Sequence, residues 1–481
     1  MRAGVILRYV GSVMLYVAAF MGLCTIVSFL NGIDDAFYLM LLSTILTFAL
    51  GSFPLLFVEK VDSISNKEGF VIVSVSWLVA SVVGMFPYLL WGGELSPIDA
   101  WFESVSGFTA TGASILEDIE ALPKGLLFWR TSSCWIGGIG VVMFAIVILP
   151  SMGGNRMALS NNEISSLAKD NLRYRAQMIV RILLCVYLSL TILTALLLHL
   201  CGMSLFDAVN HAMSACATCG FSTRNLSIGA YNSPLIEFIM MLAMLLSSIH
   251  LGVIYATITL KSNNIFRSEV CRTYLITILA FILVITLSLY VGEYYPSSLE
   301  CLRKASFQVI SIISTSGFST ADTNQWPSLA VIILIFCTLM CGCAGSTSGG
   351  MKVDRIIVFI KELRYRIICQ QHPTAVFRMR LDGYTQDESQ MHTVLVFIST
   401  YLFTILVASI IGAACGLDLQ TAFSSSAACI GNVGPGFGQV GVATTYNTMP
   451  VIIKFLNTLL MLMGRLEIFG FIQFLFTKWW R

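Results

Sequence analysis

Four tripeptides, Ala110-Thr111-Gly112, Thr218-Cys219-Gly220, Thr315-Ser316-Gly317 and Asn432-Val433-Gly434, could hold a cation through backbone oxygens. Each glycine follows an alanine (Ala100, Ala208, Ala305 and Ala422) by the same 12 positions. Glycine readily takes a positive φ that turns successive carbonyls to one side, so four such strands together present rings of oxygens that replace an ion's hydration shell. No carboxylate lies in the tripeptides, which disfavours a divalent site and suits a dehydrated monovalent cation. The competing reading is ordinary turn chemistry of Gly-Phe-Ser-Thr strings. Recurrence at intervals of about 100 residues argues against it.

A second group lies apart from these strands. The run Cys341-Gly342-Cys343-Ala344-Gly345-Ser346-Thr347-Ser348-Gly349-Gly350-Met351-Lys352 interrupts an apolar stretch with small residues. It reads as a loop able to swing across an ion's path, or as a stripe that lets two helices pack closely. Arg465 falls inside the last apolar stretch, where a lone charge needs a partner or a wet cavity. As a path-facing charge it would repel cations and gate their passage; otherwise it pairs with Glu467 or with loop carbonyls.

Such residues need elements to position them. Apolar stretches long enough to cross a bilayer of roughly 30 Å occur at 10–30, 36–58, 70–90, 128–149, 178–200, 235–260, 273–291, 392–414 and 450–476. A tenth, 329–340, is too short and reads as a broken helix resuming at Val353, which membranes tolerate where bare backbone faces protein or water. Between each alanine and its glycine the chain is too short to span, so it reads as a half-helix that dips in from outside and returns as an extended strand. The expected architecture is an all-α polytopic membrane protein. Four parallel repeats of span, half-helix, strand and span (69–155, 170–265, 272–371 and 392–481) surround a central axis, preceded by a helix pair at 1–68. Half-helix C-termini would aim partial negative charge beneath the strands, again favouring a cation.

Composition agrees with this setting. The 481 residues are 57% hydrophobic and 11% charged, far below the roughly 25% charged residues of soluble domains. The net charge of +2 excludes any global attraction to nucleic acid. With the N-terminus placed inside, the inner segments hold 21 of the 28 basic residues, and ten crossings satisfy the positive-inside rule. The outer segments are acidic, with Glu117, Asp118, Glu120 and Asp322 among them, and would concentrate cations at a pore mouth. The need to keep Lys and Arg out of outer loops accounts for part of that asymmetry. Fourteen cysteines without dense even spacing read as small apolar residues, not a disulfide framework. The N-terminus reads as a retained first helix, not a removed signal.

Other motifs fit poorly. Cys216-Ala-Thr-Cys219 matches a redox pattern in letters but opens no helix of a βαβ unit. Gly436-Phe-Gly-Gln-Val-Gly441 has neither the strand nor the acidic residue of a dinucleotide site, so no nucleotide site is expected in this chain. The five histidines, His199, His211, His250, His372 and His392, are scattered and form no hydrolase signature. An enzyme is the disfavoured class.

In combination, the four half-helix repeats with one glycine per strand, the extra N-terminal pair, the interrupted helix of the third repeat and Arg465 resemble the Trk/Ktr/HKT potassium-transporter superfamily, most closely its TrkH branch. The resemblance covers essentially the whole chain. It implies potassium uptake across a bacterial inner membrane with both termini cytoplasmic, a homodimer, and a cytosolic nucleotide-binding regulatory partner of the TrkA type. It also implies that the twelve tripeptide residues form the potassium filter, with Gly112, Gly220, Gly317 and Gly434 as selectivity glycines. In plant relatives a serine at the first of these accompanies sodium transport; four glycines here favour potassium. Ala110, where the family often has Thr, and Cys219 depart from the pattern, but both offer backbone carbonyls. Gated passive flow and sodium- or proton-coupled symport both remain open on these residues. The basic segment 352–391, with Lys361, Arg364, Arg366, Arg378 and Arg380, would dock the cytosolic partner or simply obey sidedness.

Overall fold

Long, nearly continuous apolar runs build most of this chain into helices, and short polar stretches with capping residues separate them. The computed structural model describes residues 2–59, 65–92, 95–148, 176–259, 264–372, 380–382, 384–385, 388–442 and 444–475. The segment 150–175 and Arg378, both drawn on for sidedness, lie outside the described residues.

The first pair is an antiparallel hairpin of α1 (Ala3–Leu30) and α2 (Phe37–Phe57). Its helices approach closely at Gly11, where a Cβ would come within 2.7 Å of the Gly51 carbonyl oxygen. Next come α3 (Asn66–Gly84), α4 (Phe86–Trp91), α5 (Pro97–Phe108) and α6 (Lys124–Ile148). Then follow α7 (Ala176–Leu200), α8 (Leu205–Ala217), α9 (Pro234–Ser248) and α10 (Leu251–Ile258). The third set is α11 (Glu269–Val291), α12 (Ser298–Ile313), α13 (Ser328–Leu339) and α14 (Val353–Gln371). A two-residue antiparallel ladder of β1 (Arg380–Leu381) and β2 (Tyr384–Thr385) is a small exception to the expected all-α chain. The last set is α15 (Glu388–Ala414), α16 (Leu419–Gly431), α17 (Val451–Arg465) and α18 (Ile468–Leu475).

Among the described residues, six helices are long and apolar enough to cross a membrane: 3–30, 37–57, 67–91, 180–200, 269–291 and 391–414. Of the remaining expected spans, 128–149 lies almost wholly on the 25-residue α6, and the others are divided. The stretch 235–260 is not one helix: α9 and α10 meet at a 105° bend. The stretch 450–476 is likewise divided, because α17 ends at Arg465 and Glu467 turns the chain with a φ of 59° before α18 starts. Arg465 therefore ends a helix and does not sit mid-span. The break expected after 340 is present, α13 being only 12 residues long.

Four short helices, α5, α8, α12 and α16, have 12, 13, 16 and 13 residues, about 18–24 Å of rise, which is too little to cross. Local chemistry starts them alike. The side chains of Ser96, Ser204, Ser297 and Asp418 accept from the backbone N–H three residues on. In three of the four that next residue is acidic, Asp99, Asp207 or Glu300, next to the positive end of the helix dipole.

Packing around these helices is cyclic. The helix before each one packs on it: α3 on α5, α7 on α8, α11 on α12, α15 on α16. The helix after it packs on the next: α6 on α8, α9 on α12, α13 on α16, and α17 back on α5. Two large apolar cores result among the described residues, one uniting the first six helices with the last four and the other uniting α7 to α14, with two small clusters beside them.

Candidate functional site

Each short helix ends in the same hydrogen-bonded turn. The N–H groups of Ala110, Thr218, Thr315 and Asn432 donate three residues back, to Gly107, Ala215, Ile312 and Cys429, at 2.8–3.2 Å. Those of Thr111, Cys219, Ser316 and Val433 donate five residues back, to Ser106, Ser214, Ser311 and Ala428, at 2.9–3.0 Å. This pair of bonds is the Schellman closure, which needs a left-handed residue where it turns. Ala110, Thr218, Thr315 and Asn432 supply it with φ of 51°, 55°, 62° and 53°. Since non-glycine residues adopt this region at about 1–2 kcal/mol, the surrounding structure must hold them there. The expected extended return is thus corrected: the chain leaves each helix through a left-handed residue and reaches a second positive φ at Gly112, Gly220, Gly317 and Gly434, at 82°, 93°, 71° and 95°.

The four tripeptides meet. A Cβ on Gly112 would overlap the Cys219 carbonyl oxygen, one on Gly220 that of Ser316 and one on Gly317 that of Val433, while one on Gly434 would lie 2.5 Å from that of Thr111. These contacts run from each segment to the next and from the last to the first, so the four oxygens close a ring. Asn432 Nδ2 donates to Thr111 Oγ1 at 2.9 Å and to the Met461 carbonyl at 3.0 Å, pinning the fourth segment to the first and to α17.

Residues that the sequence did not single out brace the ring from behind. Glu103 and Arg130 form an ion pair at 2.6 Å with side chains 0% and 2% exposed. The Glu103 carboxylate also accepts from Ser114 Oγ and the Ile115 N–H at 3.1 Å, while Arg130 Nη1 donates to the Ser222 carbonyl at 3.0 Å. One buried pair therefore holds the exits of the first and second segments. His211 closes a bridge between the Asp207 carbonyl and Ser222 Oγ, both at 2.8 Å, which gives this histidine a packing role. Ser311 and Ser424 donate to the Phe318 and Phe437 carbonyls, at 2.6 and 3.0 Å. Tyr446 donates to the Gly434 carbonyl at 2.8 Å. Their signal in the sequence is only a polar residue on an otherwise apolar helix face.

On the side of the helix C-termini lies the segment 340–352. Its ends are tied together by Cys341 N to Met351 O at 3.0 Å and Val353 N to Gly342 O at 3.1 Å. Between them, Thr347 Oγ1 donates to the Cys216 carbonyl at 3.0 Å and Gly349 N to Thr315 Oγ1 at 3.2 Å. A Cβ on Gly349 would sit 2.5 Å from Asn432 Cβ, so the loop lies directly against the ring's base. Gly350 packs on Cys341, Ser346 and Ser348 share a hydroxyl bond at 2.6 Å, and the Lys352 ammonium bonds the Ser348 carbonyl at the loop's foot.

Arg465 joins this loop to two helices. It donates to the Thr347 carbonyl at 2.8 Å and to those of Gly137 and Gly138 at 2.6 and 3.1 Å. Of its two expected partner types, the carbonyls hold, whereas Glu467 pairs with Arg355 at 2.6 Å. Glycines make the approach: a Cβ on Gly138 would meet Ala217 Cα at 2.8 Å, and one on Gly464 would come within 2.6 Å of Asn432 Oδ1.

On the opposite side the loops interlock. Asn225 donates to Asp118 at 2.9 Å and accepts from Ile119 N–H at 2.7 Å, and its amide holds the Asp118 carboxyl below the usual range. Lys454 meets Asp99 at 2.6 Å and Lys304 meets Glu237 at 3.3 Å, each linking one short helix to a neighbouring helix. The fourteen cysteines are free, Cys216 and Cys219 included.

Comparison with known proteins gives the family. The TrkH family, described as cation transport protein, matches residues 39–478. The Trk system potassium uptake protein TrkH of Salmonella typhimurium is 34% identical over 421 residues, 87% of each chain. That of Halomonas elongata is 34% identical over 456 residues, 94% of each. The crystal structure of the potassium transporter TrkH from Vibrio parahaemolyticus superposes with a TM-score of 0.90 at 30% identity, covering 100% of both chains. The class defined is a multi-pass membrane transporter, not an enzyme. Within it, the chain belongs to the TrkH branch of the Trk potassium transporter family.

Proposed function

We propose that this chain takes up potassium across the bacterial inner membrane through a single-file pore along the axis of the carbonyl ring. The observation that carries the reading is the cyclic contact of Gly112, Gly220, Gly317 and Gly434 with the carbonyls of Cys219, Ser316, Val433 and Thr111. Neutral oxygens converging from four sides suit a monovalent cation stripped of water. Four repeats, 69–155, 170–265, 272–371 and 392–481, supply one segment each, and the pair at 1–68 stands outside them. The cyclic packing of the short helices supports this division.

The twelve tripeptide residues are the filter. Residues 342–352 are the gate, with Gly342, Gly345, Ser346, Thr347, Ser348, Gly349, Gly350 and Lys352 forming the loop and Arg465 holding it. With its carbonyl bonds made, Arg465 keeps the loop under the ring and places a positive charge in the cation's path. Both termini face the cytoplasm, two copies form a dimer, and a TrkA-type partner docks on the basic face that includes Lys361, Arg364, Arg366 and Arg380, bringing the nucleotide site that regulates the gate. Support for the partner and dimer comes from family membership.

Rubidium uptake into liposomes holding the purified protein, with and without a TrkA-type partner, tests the reading. Flux well above that of empty liposomes is expected; none in either condition would overturn it.

A further inference from the structure

The loop under the ring is built onto the break in a different helix. Cys343 N donates to the Ser248 carbonyl at 2.9 Å and Leu251 N to the Gly345 carbonyl at 3.2 Å. Thr347 donates to the Ser247 carbonyl through its N–H at 3.3 Å and its hydroxyl at 3.1 Å. A helix broken between α9 and α10 leaves carbonyls of one turn and N–H groups of the next without intrahelical partners. The loop supplies them, so neither interruption is satisfied without the other.

His250 stands at the centre of this joint. It caps α10, its Nδ1 accepting from the Gly252 N–H at 2.9 Å. With the lone pair used there, the neutral ring carries its proton on Nε2, and that buried nitrogen has no hydrogen-bond partner among the described residues. The same edge of the ring presses on the loop: a Cβ on Gly345 would lie 2.5 Å from Nε2 and 3.0 Å from Cγ. Gly345 also has a φ of 75°, so the position needs glycine for both space and conformation. A cap requires only an acceptor, which asparagine supplies with less bulk. The outer half of the ring and its buried donor are left unexplained by capping.

We propose that His250 is a positioning residue of the gate: its ring is the wedge on which Gly345 seats, so that the α9–α10 break and the 340–352 loop leave and return as one unit. The proposal rests on reading the loop as the gate.

Two readouts on the full-length reconstituted protein test it: rubidium flux, and site-resolved maleimide labelling of Cys343, which is 1% exposed in the seated loop. His250→Asn keeps an acceptor for Gly252 but removes the wedge, so it separates capping from seating. Labelling and flux should both rise several-fold in His250→Asn and His250→Ala. Gly345→Ala should do the same, and the double substitution His250→Ala with Gly345→Ala should add less than the two singles combined. Wild-type labelling and flux in His250→Asn, or strictly additive effects at the two positions, would overturn the wedge. Labelling that rises as expected while neither wild type nor variants carry rubidium would support the wedge and refute the gate reading.

Discussion

At the scale of residues, the ring depends on backbone conformations that side chains disfavour. Ala110, Thr218, Thr315 and Asn432 occupy the left-handed region, and two positions later each segment returns to positive φ at a glycine whose missing Cβ leaves room for a neighbour's carbonyl. In Gly112→Ser the side chain would meet the Cys219 oxygen and the backbone would be strained as well. This substitution should lower the potassium-to-sodium flux ratio; an unchanged ratio would remove Gly112 from the filter. Behind the ring, Glu103 and Arg130 are buried as a pair. Leaving one charge alone in such a place costs about 3–5 kcal/mol, whereas replacing both by apolar groups of similar volume costs far less. Thermal unfolding in detergent should therefore show large losses for Glu103→Gln and for Arg130→Met, and a smaller loss for Glu103→Leu with Arg130→Met than for either single. The recurring glycines were legible in the sequence because glycine's conformational freedom is a strong local signal. The left-handed alanine and threonines were not, because tertiary contacts impose a conformation their own chemistry opposes.

Among the elements, three helices that follow short helices are interrupted, after Leu339, after Ser248 and after Arg465. The first break could be read directly, since its glycines and serines cannot sustain a span. The second could not: Ser247-Ser248-Ile249-His250 contains no glycine or proline, and the bend there is stabilised by bonds from a loop nearly 100 residues on. The third is marked only by Gly464 and Arg465: the chain turns at Glu467, with a φ of 59°, while Arg465 reaches the Thr347, Gly137 and Gly138 carbonyls. Starts were more legible than ends. Serine followed three residues later by Asp or Glu opens α5, α8 and α12, and that signal is local. Under the proposed gating role, Arg465→Ala removes both its bonds to the Thr347, Gly137 and Gly138 carbonyls and a charge from the ion's path. Flux through this variant should exceed wild type several-fold, alongside a lower thermal midpoint from the three buried carbonyls left without Arg465; equal flux would assign Arg465 a purely structural role.

For the whole molecule, the consequence of cyclic packing is that no segment of the ring is held by its own surroundings alone. α17 returns to α5, Lys454 of α17 meets Asp99 of α5, and Asn432 meets Thr111, so the first and last parts of the chain close the circle. The apolar composition and the placement of charges made the membrane setting legible. The recurrence implied an arrangement about one axis, but not which residues close it, because those lie more than 300 positions apart. In the proposed pore, four neutral carbonyl segments select a dehydrated monovalent cation of one size. The most direct test is flux through wild-type protein in liposomes with lithium, sodium, potassium, rubidium and caesium offered singly and in competition. Potassium and rubidium should be carried well ahead of sodium and lithium, with potassium suppressing sodium entry when both are present. Equal passage of sodium and potassium, or no passage of any of the five, would contradict it.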